Sequence, residues 1–87
     1  MNIQEDNKEE LINQTIDGLK HGLWIDYYKN GNILFKINYY KGLKHGLFES
    51  YYYDGNLSYK ENYFMSKLYG LREVYFKGKL KYKRFYL

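Results

Sequence analysis

Leu19-Lys20-His21-Gly22-Leu23-Trp24 recurs as Leu43-Lys44-His45-Gly46-Leu47-Phe48 and, more loosely, as Lys67-Leu68-Tyr69-Gly70-Leu71-Arg72. The glycines of the three copies, Gly22, Gly46 and Gly70, stand 24 residues apart, and self-similarity at a fixed period marks a chain of stacked structural units. Beyond each glycine comes an aromatic pair, Tyr27-Tyr28, Tyr51-Tyr52 and Tyr75-Phe76, followed by a turn signal in Asn30-Gly31, Asp54-Gly55 and Lys77-Gly78. The third unit is one residue short at this turn.

Asn-Gly and Asp-Gly between apolar runs are strong hairpin signals, because both central residues of a type I′ turn need positive φ. Each unit is therefore read as a hairpin. A two-residue Asn30-Gly31 loop pairs Tyr28 with Ile33, Asp26 with Phe35 and Trp24 with Ile37, and the second unit repeats this as Tyr52–Leu57, Ser50–Tyr59 and Phe48–Glu61. A six-residue connection over 41–46 then pairs Tyr39 with Phe48, and further along the same register sets Glu61 opposite Val74. The short third turn is expected to be a three-residue loop, Phe76-Lys77-Gly78, with Gly78 at positive φ, Val74 opposite Leu80 and Arg72 opposite Tyr82.

The expected fold is all-β: an antiparallel meander of about seven strands built from three 24-residue β-hairpin repeats in a single curved sheet. Strands are placed near 9–16, 22–28, 33–40, 47–52, 57–64, 71–76 and 80–86. Residues 1–17 form an acidic N-terminal segment and a capping half-repeat strand, polar where later strands are apolar. Residues 18–87 hold the repeats, at 18–41, 42–65 and 66–87.

Composition agrees with a thin, ring-built interior. Of 87 residues, 45% are hydrophobic and about half of those are aromatic, with 13 Tyr against 5 Phe and 1 Trp, so the apolar area comes with polar edges. There is no Cys, which excludes a disulfide framework and a thiolate metal site. The acidic start, MNIQEDNKEE, lacks the basic and apolar regions of a signal peptide, and a cytoplasmic location in a bacterial cell or a phage-infected host is expected. The wealth of Asn, Lys, Ile and Tyr and the absence of Pro point to an A/T-rich genome. Net charge is +4 and uneven: Glu5, Asp6, Glu9 and Glu10 crowd the start, and Lys77, Lys79, Lys81, Lys83 and Arg84 crowd the end.

The pattern Gly-x-Trp/Phe-x-x-Tyr-Tyr-x-Asn/Asp-Gly-x-Leu/Ile resembles the MORN repeat, in the variant found in small bacterial antitoxin-like proteins. The resemblance covers 18–87. Its framework residues fall on Gly22, Trp24, Tyr27, Tyr28, Gly31 and Ile33, and on Gly46, Phe48, Tyr51, Tyr52, Gly55 and Leu57, with Gly70 and Gly78 as the glycines of the third unit. That unit departs from the pattern at Arg72, at Ser66 in place of Gly18 and Gly42, and at the missing turn residue. The resemblance implies a sheet used for protein–protein contact, with lipid or membrane association in some members, and no reaction.

Residues that could carry chemistry have structural readings beside them. His21 and His45 are repeat-equivalent and so lie two strands apart, about 9–10 Å at roughly 4.8 Å per strand, too far to share an ion bound at about 2.0–2.1 Å; loop packing is expected. Glu49 and Glu73 have the same relation, and paired carboxylates cleave glycosides when about 5–9.5 Å apart, but Lys60 and Lys83 as cross-strand neighbours make them a solvated face. Glu61 stands among aromatics where the first unit has Ile37, and an ion pair with Arg72 laid on tyrosine rings is its structural reading; a polar contact in a binding face is the functional one. No P-loop, dinucleotide fingerprint or Ser-His-Asp arrangement is present.

The sequence is thus read as a non-enzymatic protein-binding module without cofactor or metal. Its partner is a toxin, an effector or a defence enzyme, and its role antitoxin- or immunity-like, or that of a phage anti-defence inhibitor such as an anti-CRISPR protein. Tyr27, Tyr40, Tyr51 and Tyr75 are the expected partner-binding residues, since Tyr offers large contact area with few rotamers to freeze. Trp24, Tyr28, Phe35, Phe48, Tyr52 and Tyr59 are expected to be structural. The alternative is nucleic-acid or anionic-lipid binding through Lys77, Lys79, Lys81, Lys83 and Arg84, a run that also reads as protection of an edge strand with its lysines on one side. Self-association is expected, because one layer leaves Leu23, Ile25, Tyr27, Leu34, Tyr40, Leu47, Tyr51 and Phe64 uncovered.

Overall fold

The computed structural model describes residues 11–87; the acidic start at 1–10 lies outside the described residues. Strands β1 (Gln14–Ile16), β2 (Leu19–Tyr27), β3 (Ile33–Tyr40), β4 (Leu43–Tyr51), β5 (Leu57–Phe64), β6 (Lys67–Leu68), β7 (Gly70–Phe76) and β8 (Lys79–Tyr86) follow one another along the chain. They form one open antiparallel sheet in the order β1-β2-β3-β4-β5-β7-β8, with β6 also paired to β5. The radius of gyration is 15.0 Å, above the roughly 12 Å of a compact domain of this length, as a single layer requires.

The strands are joined by two sets of turns, one at each end of the sheet. At one end the two-residue turns Asp17-Gly18, Lys41-Gly42 and Met65-Ser66 all have both φ angles positive, between 48° and 83°, the type I′ geometry whose twist matches that of the strands. Successive turns are tied to the preceding unit: Gly42 N–H donates to Lys20 O at 2.9 Å and Ser66 N–H to Lys44 O at 2.7 Å. The expected six-residue connection over 41–46 is therefore replaced by a tight turn with Tyr40 opposite Leu43 and Tyr39 opposite Lys44. Phe48 pairs with Ile37, not with Tyr39. The register slips by an even number of residues around Gly46, so Tyr39, Tyr40 and Phe48 on either side of this turn keep the faces the sequence assigned to them.

At the other end the expected loop types are exchanged. Gly31 N–H donates to Tyr28 O at 3.0 Å and Tyr28 N–H to Asn32 O at 2.8 Å, so the first loop is Lys29-Asn30-Gly31, three residues long, with only Gly31 (φ 92°) left-handed. Tyr53-Asp54-Gly55 repeats it. The third loop, one residue shorter, is Lys77-Gly78 with both φ positive, and Tyr75 lies opposite Leu80, Val74 opposite Tyr82 and Arg72 opposite Arg84, against the expected three-residue turn. The Asn-Gly signal is shared by both loop types, and a bulge decides between them. In each hairpin one residue of the second strand, Leu34, Ser58 or Lys81, is left without a partner. Ile33 and Leu57 therefore pair with Tyr27 and Tyr51 in place of Tyr28 and Tyr52, while Trp24–Ile37, Asp26–Phe35, Phe48–Glu61 and Ser50–Tyr59 stand as expected. Val74 faces Tyr59, not Glu61.

Strand β1 is shorter than expected, and residues 9 and 10 of the expected strand lie outside the described residues. Asn13 replaces strand pairing with its side chain: its amide accepts from Ile25 N–H at 2.8 Å and donates to Ile25 O at 3.2 Å, while its own N–H donates to Leu23 O at 2.9 Å. One amide thus satisfies both backbone groups of a β2 residue that would otherwise face solvent.

The interior is a patch on one face. Ile37, 2% exposed, sits between its cross-strand neighbours Trp24 and Phe48, and Phe48 has Phe35, Tyr59 and Tyr63 rings at 5.9, 5.6 and 6.3 Å. Lys20 Nζ lies 4.7 Å over Trp24 and Lys44 Nζ 5.0 Å over Tyr63, so lysine stems cover rings that no second sheet covers among the described residues. Tyr28 and Tyr52 lace the units together, their hydroxyls donating to Tyr51 O at 2.7 Å and Tyr75 O at 2.9 Å.

Candidate functional site

The opposite face carries three bands that run across the strands. Its middle band follows from pairing Ile25, Lys36, Glu49, Lys60, Glu73 and Lys83, each the cross-strand neighbour of the next. Lys36 and Glu49 approach to 3.9 Å and Lys60 and Glu73 to 4.0 Å, exposed pairs of the kind worth at most about 1 kcal/mol each. Lys60 stands in register between Glu49 and Glu73, so each carboxylate is spent on a neighbour.

The second band is the tyrosine row. Tyr27, Tyr51 and Tyr75 are repeat-equivalent residues at the loop end of their strands, opposite Ile33, Leu57 and Leu80. Tyr51 and Tyr75 donate their hydroxyls to Glu49 and Glu73 at 3.1 Å each. Burial first, and then the carboxylate that accepts the hydroxyl proton, raises both phenols above the ordinary tyrosine range. Tyr27 differs because Ile25 stands where the other units have glutamate, and its ring is 49% exposed.

Tyr40 belongs to neither band. It lies four residues from Lys36 along β3, roughly 13 Å at strand rise, and joins a third band at the type I′ end. There the rings of His21, Tyr40, His45, Phe64 and Tyr69 follow one another at centroid separations of 6.1, 6.0, 5.2 and 6.4 Å. Phe64 is 59% and Tyr40 42% exposed. The sequence signal for this stripe was present in the repeat: His21, His45 and Tyr69 share one position and Tyr40 and Phe64 another. The histidines are packing residues, and His45 Nδ1 accepts the Met65 N–H at 3.3 Å. Among the described residues no three acidic, His or Cys side chains converge as a metal would need.

The basic residues of β8 do not form one patch. Lys79 pairs with Phe76 and Lys83 with Glu73, positions of opposite parity on β7, and the bulge at Lys81 breaks the alternation that would have put the lysines on one side. Arg84 stacks on Tyr86 at 5.0 Å and Lys77 on Phe76 at 5.5 Å. On the packed face Glu61 is 7% exposed; its carboxylate accepts from Arg72 Nε at 2.6 Å and from the Tyr63 hydroxyl at 2.8 Å, and the guanidinium lies 5.3 Å over Tyr59.

A meander of hairpins with a 24-residue period, one layer thick and aromatic on both faces, defines a β-hairpin repeat protein. Residues 20–41 and 44–64 match the family described as MORN repeat variant. Repeats of that family are in general non-catalytic modules for protein or membrane interaction. No curated protein and no solved structure matches the chain at a significant level.

Proposed function

We propose that the chain is a non-catalytic module that binds a partner protein through the face carrying Tyr27, Tyr40, Tyr51 and Tyr75, in the cytoplasm of a bacterial cell or a phage-infected host. The observation that carries the reading is that no second layer covers this face among the described residues, so the ring stripe at Tyr40 and Phe64 meets solvent. Rings of this kind, rimmed by charge, are the composition of interface cores. The chain is organised as an acidic capping segment at 1–17 and three units at 18–41, 42–65 and 66–87. The third unit is supported by Gly70, left-handed like Gly22 and Gly46, and by Tyr75 and Glu73, which reproduce the geometry of Tyr51 and Glu49. The partner is a toxin, an effector or a defence enzyme that the module neutralises or scaffolds.

The test changes Tyr27, Tyr40, Tyr51 and Tyr75 singly to Ala, checks folding by circular dichroism and measures capture of the partner from a lysate of the host or its bacterial target. An interface anchor loses on the order of 2 kcal/mol on truncation, about thirtyfold in affinity, and at least one variant is expected to show this while folded. Normal capture by all four, with loss when Lys79, Lys81 and Lys83 are changed to Glu, transfers the function to the basic edge strand and its nucleic-acid or lipid reading.

A further inference from the structure

The charge ladder of the tyrosine face alternates in sign from strand to strand and stops at an open edge. Lys36, Glu49, Lys60, Glu73 and Lys83 are successive cross-strand neighbours, and Lys83 stands on β8, the last strand of the sheet, with no strand on its outer side among the described residues. The next residue, Arg84, lies opposite Arg72, whose guanidinium already donates to Glu61, so Arg84 has a cation for its cross-strand neighbour. Consecutive residues of a strand point to opposite faces, and Lys83 and Arg84 thus place one cation on each side of the same edge. Seven of the eight residues of β8, Lys79 to Phe85, are exposed. In an antiparallel sheet alternate residues direct both N–H and C=O away from the paired strand, so this edge offers main-chain donors and acceptors along with its charge.

We infer that the outer edge of β8 is a site of strand addition for an extended acidic segment of a partner polypeptide, with two adjacent carboxylates that fall on opposite faces of the sheet beside Lys83 and Arg84. The ladder sets the sign, since an added strand continues the alternation only by placing an acid next to Lys83. Cations on both faces decide among anionic ligands. A lipid surface or a nucleic acid lying on one face meets one of the two, whereas a strand in the plane of the sheet sends successive side chains to both faces and meets both. The same charges keep out the β8 edge of a second copy, which would bring cation against cation. Main-chain hydrogen bonds supply affinity in such additions and side chains supply selection. The inference rests on the reading of the chain as a protein-binding module and adds a contact at the sheet edge, away from the tyrosine row.

The probe is a capped peptide of alternating valine and threonine with two adjacent glutamates at its centre, titrated into the 15N-labelled full chain and followed by amide chemical shifts. Saturable shifts are expected along β8, together with slower hydrogen exchange of its outward N–H groups. A peptide with glutamine in place of both glutamates is expected to bind about fivefold more weakly, the loss of two exposed charge pairs. A peptide N-methylated throughout its backbone keeps both carboxylates but no strand donor, and is expected to give no saturable shift. Arg84→Glu removes the like-charge contact with Arg72, so the fold is expected to hold; this variant is expected to bind the glutamate peptide more weakly and to prefer a peptide with lysine at those two positions. No saturable shift at millimolar peptide, equal binding by the glutamine or the N-methylated peptide, or the same β8 shifts with single-stranded oligothymidylate or anionic vesicles would overturn the site. The peptides and Arg84→Glu leave Tyr27, Tyr40, Tyr51 and Tyr75 intact, so failure of the edge leaves the face reading standing, and the reverse holds as well.

Discussion

Arg72 donates to the Glu61 carboxylate at 2.6 Å in the same row of the sheet where Trp24, Ile37 and Phe48 pack against one another. Glu61 of the second unit, opposite Phe48, and Arg72 of the third thus close the apolar row with an ion pair. Burying charge is costly unless the charges satisfy each other, and replacing such a pair by hydrocarbon is often neutral or stabilising, whereas removing one member strands the other. Glu61→Ala is expected to lower stability by about 2–3 kcal/mol, at the low end of the buried range because the Arg72 side chain keeps 26% exposure. The double change Glu61→Ile with Arg72→Phe, which gives the second unit the Ile37 of the first and the third unit the Phe48 of the second, is expected to be at least as stable as the parent. Urea denaturation of the three proteins checks both, and a double variant as unstable as Glu61→Ala would mean that the pair is needed for the fold.

Ser66 has φ of 73° in the turn position held elsewhere by Gly18 and Gly42. A side chain there costs about 1–2 kcal/mol, part of which returns because glycine loosens the unfolded chain by about 0.4–1 kcal/mol. Ser66→Gly is therefore expected to stabilise by up to about 1 kcal/mol, a rise of roughly 4–8 °C in Tm for a chain of this size. A calorimetric Tm that stays put or falls would show that the Ser66 side chain supplies a contact worth the strain.

The repeat period, the hairpins and the face of nearly every residue were legible because they rest on spacing alone. The loops were not. Asn30-Gly31 suits both a two-residue and a three-residue turn, and the choice lies with bulges at Leu34, Ser58 and Lys81, each of which restores the register that the turn had shifted. The turns at Lys41-Gly42 and Met65-Ser66 were hidden for a related reason: Lys-Gly and Met-Ser are weak turn signals until their place in the period is read. Of the candidate surface, the tyrosine row at Tyr27, Tyr51 and Tyr75 followed from the repeat. The separation of Tyr40 from that row, and the stripe it shares with Phe64 and Tyr69, depend on how the type I′ turns set strand ends side by side.

Alkaline pH supplies a test of the Glu61 cluster from its other side. Burial first, then the hydrogen bond to Glu61 and its negative charge, push the Tyr63 phenol from 10.0 to about 12, with Arg72 opposing. The native state therefore holds this proton at pH values where the unfolded chain releases it. The stabilisation it represents is whole below pH 10 and is lost as pH rises towards 12. Tyr63→Phe cannot lose it, so the variant, less stable at pH 8 for want of the hydroxyl, is expected to draw level with the parent as pH approaches 11–12. A stability gap that is the same at pH 8 and pH 11 would show that Tyr63 titrates as an ordinary phenol.

The uncovered face bears on the state of the chain in solution. Leu47, Tyr27, Tyr40 and Phe64 on that face are each more than a third exposed, and monomeric soluble proteins rarely show contiguous apolar patches above a few hundred Å². Two copies that lay these faces together would cover the ring stripe. Stacking with the copies turned in opposite directions would set the lysines of one charge ladder over the glutamates of the other. Self-association is accordingly expected at tens of micromolar, visible as a light-scattering mass above the 10.7 kDa of one chain. Tyr40→Ser with Phe64→Ser is expected to return the mass to that of one chain without loss of the sheet's circular dichroism, since neither ring touches Ile37 or Phe48 on the packed face. A parent protein that scatters as a single chain throughout this range would show that the face is held open for a different partner.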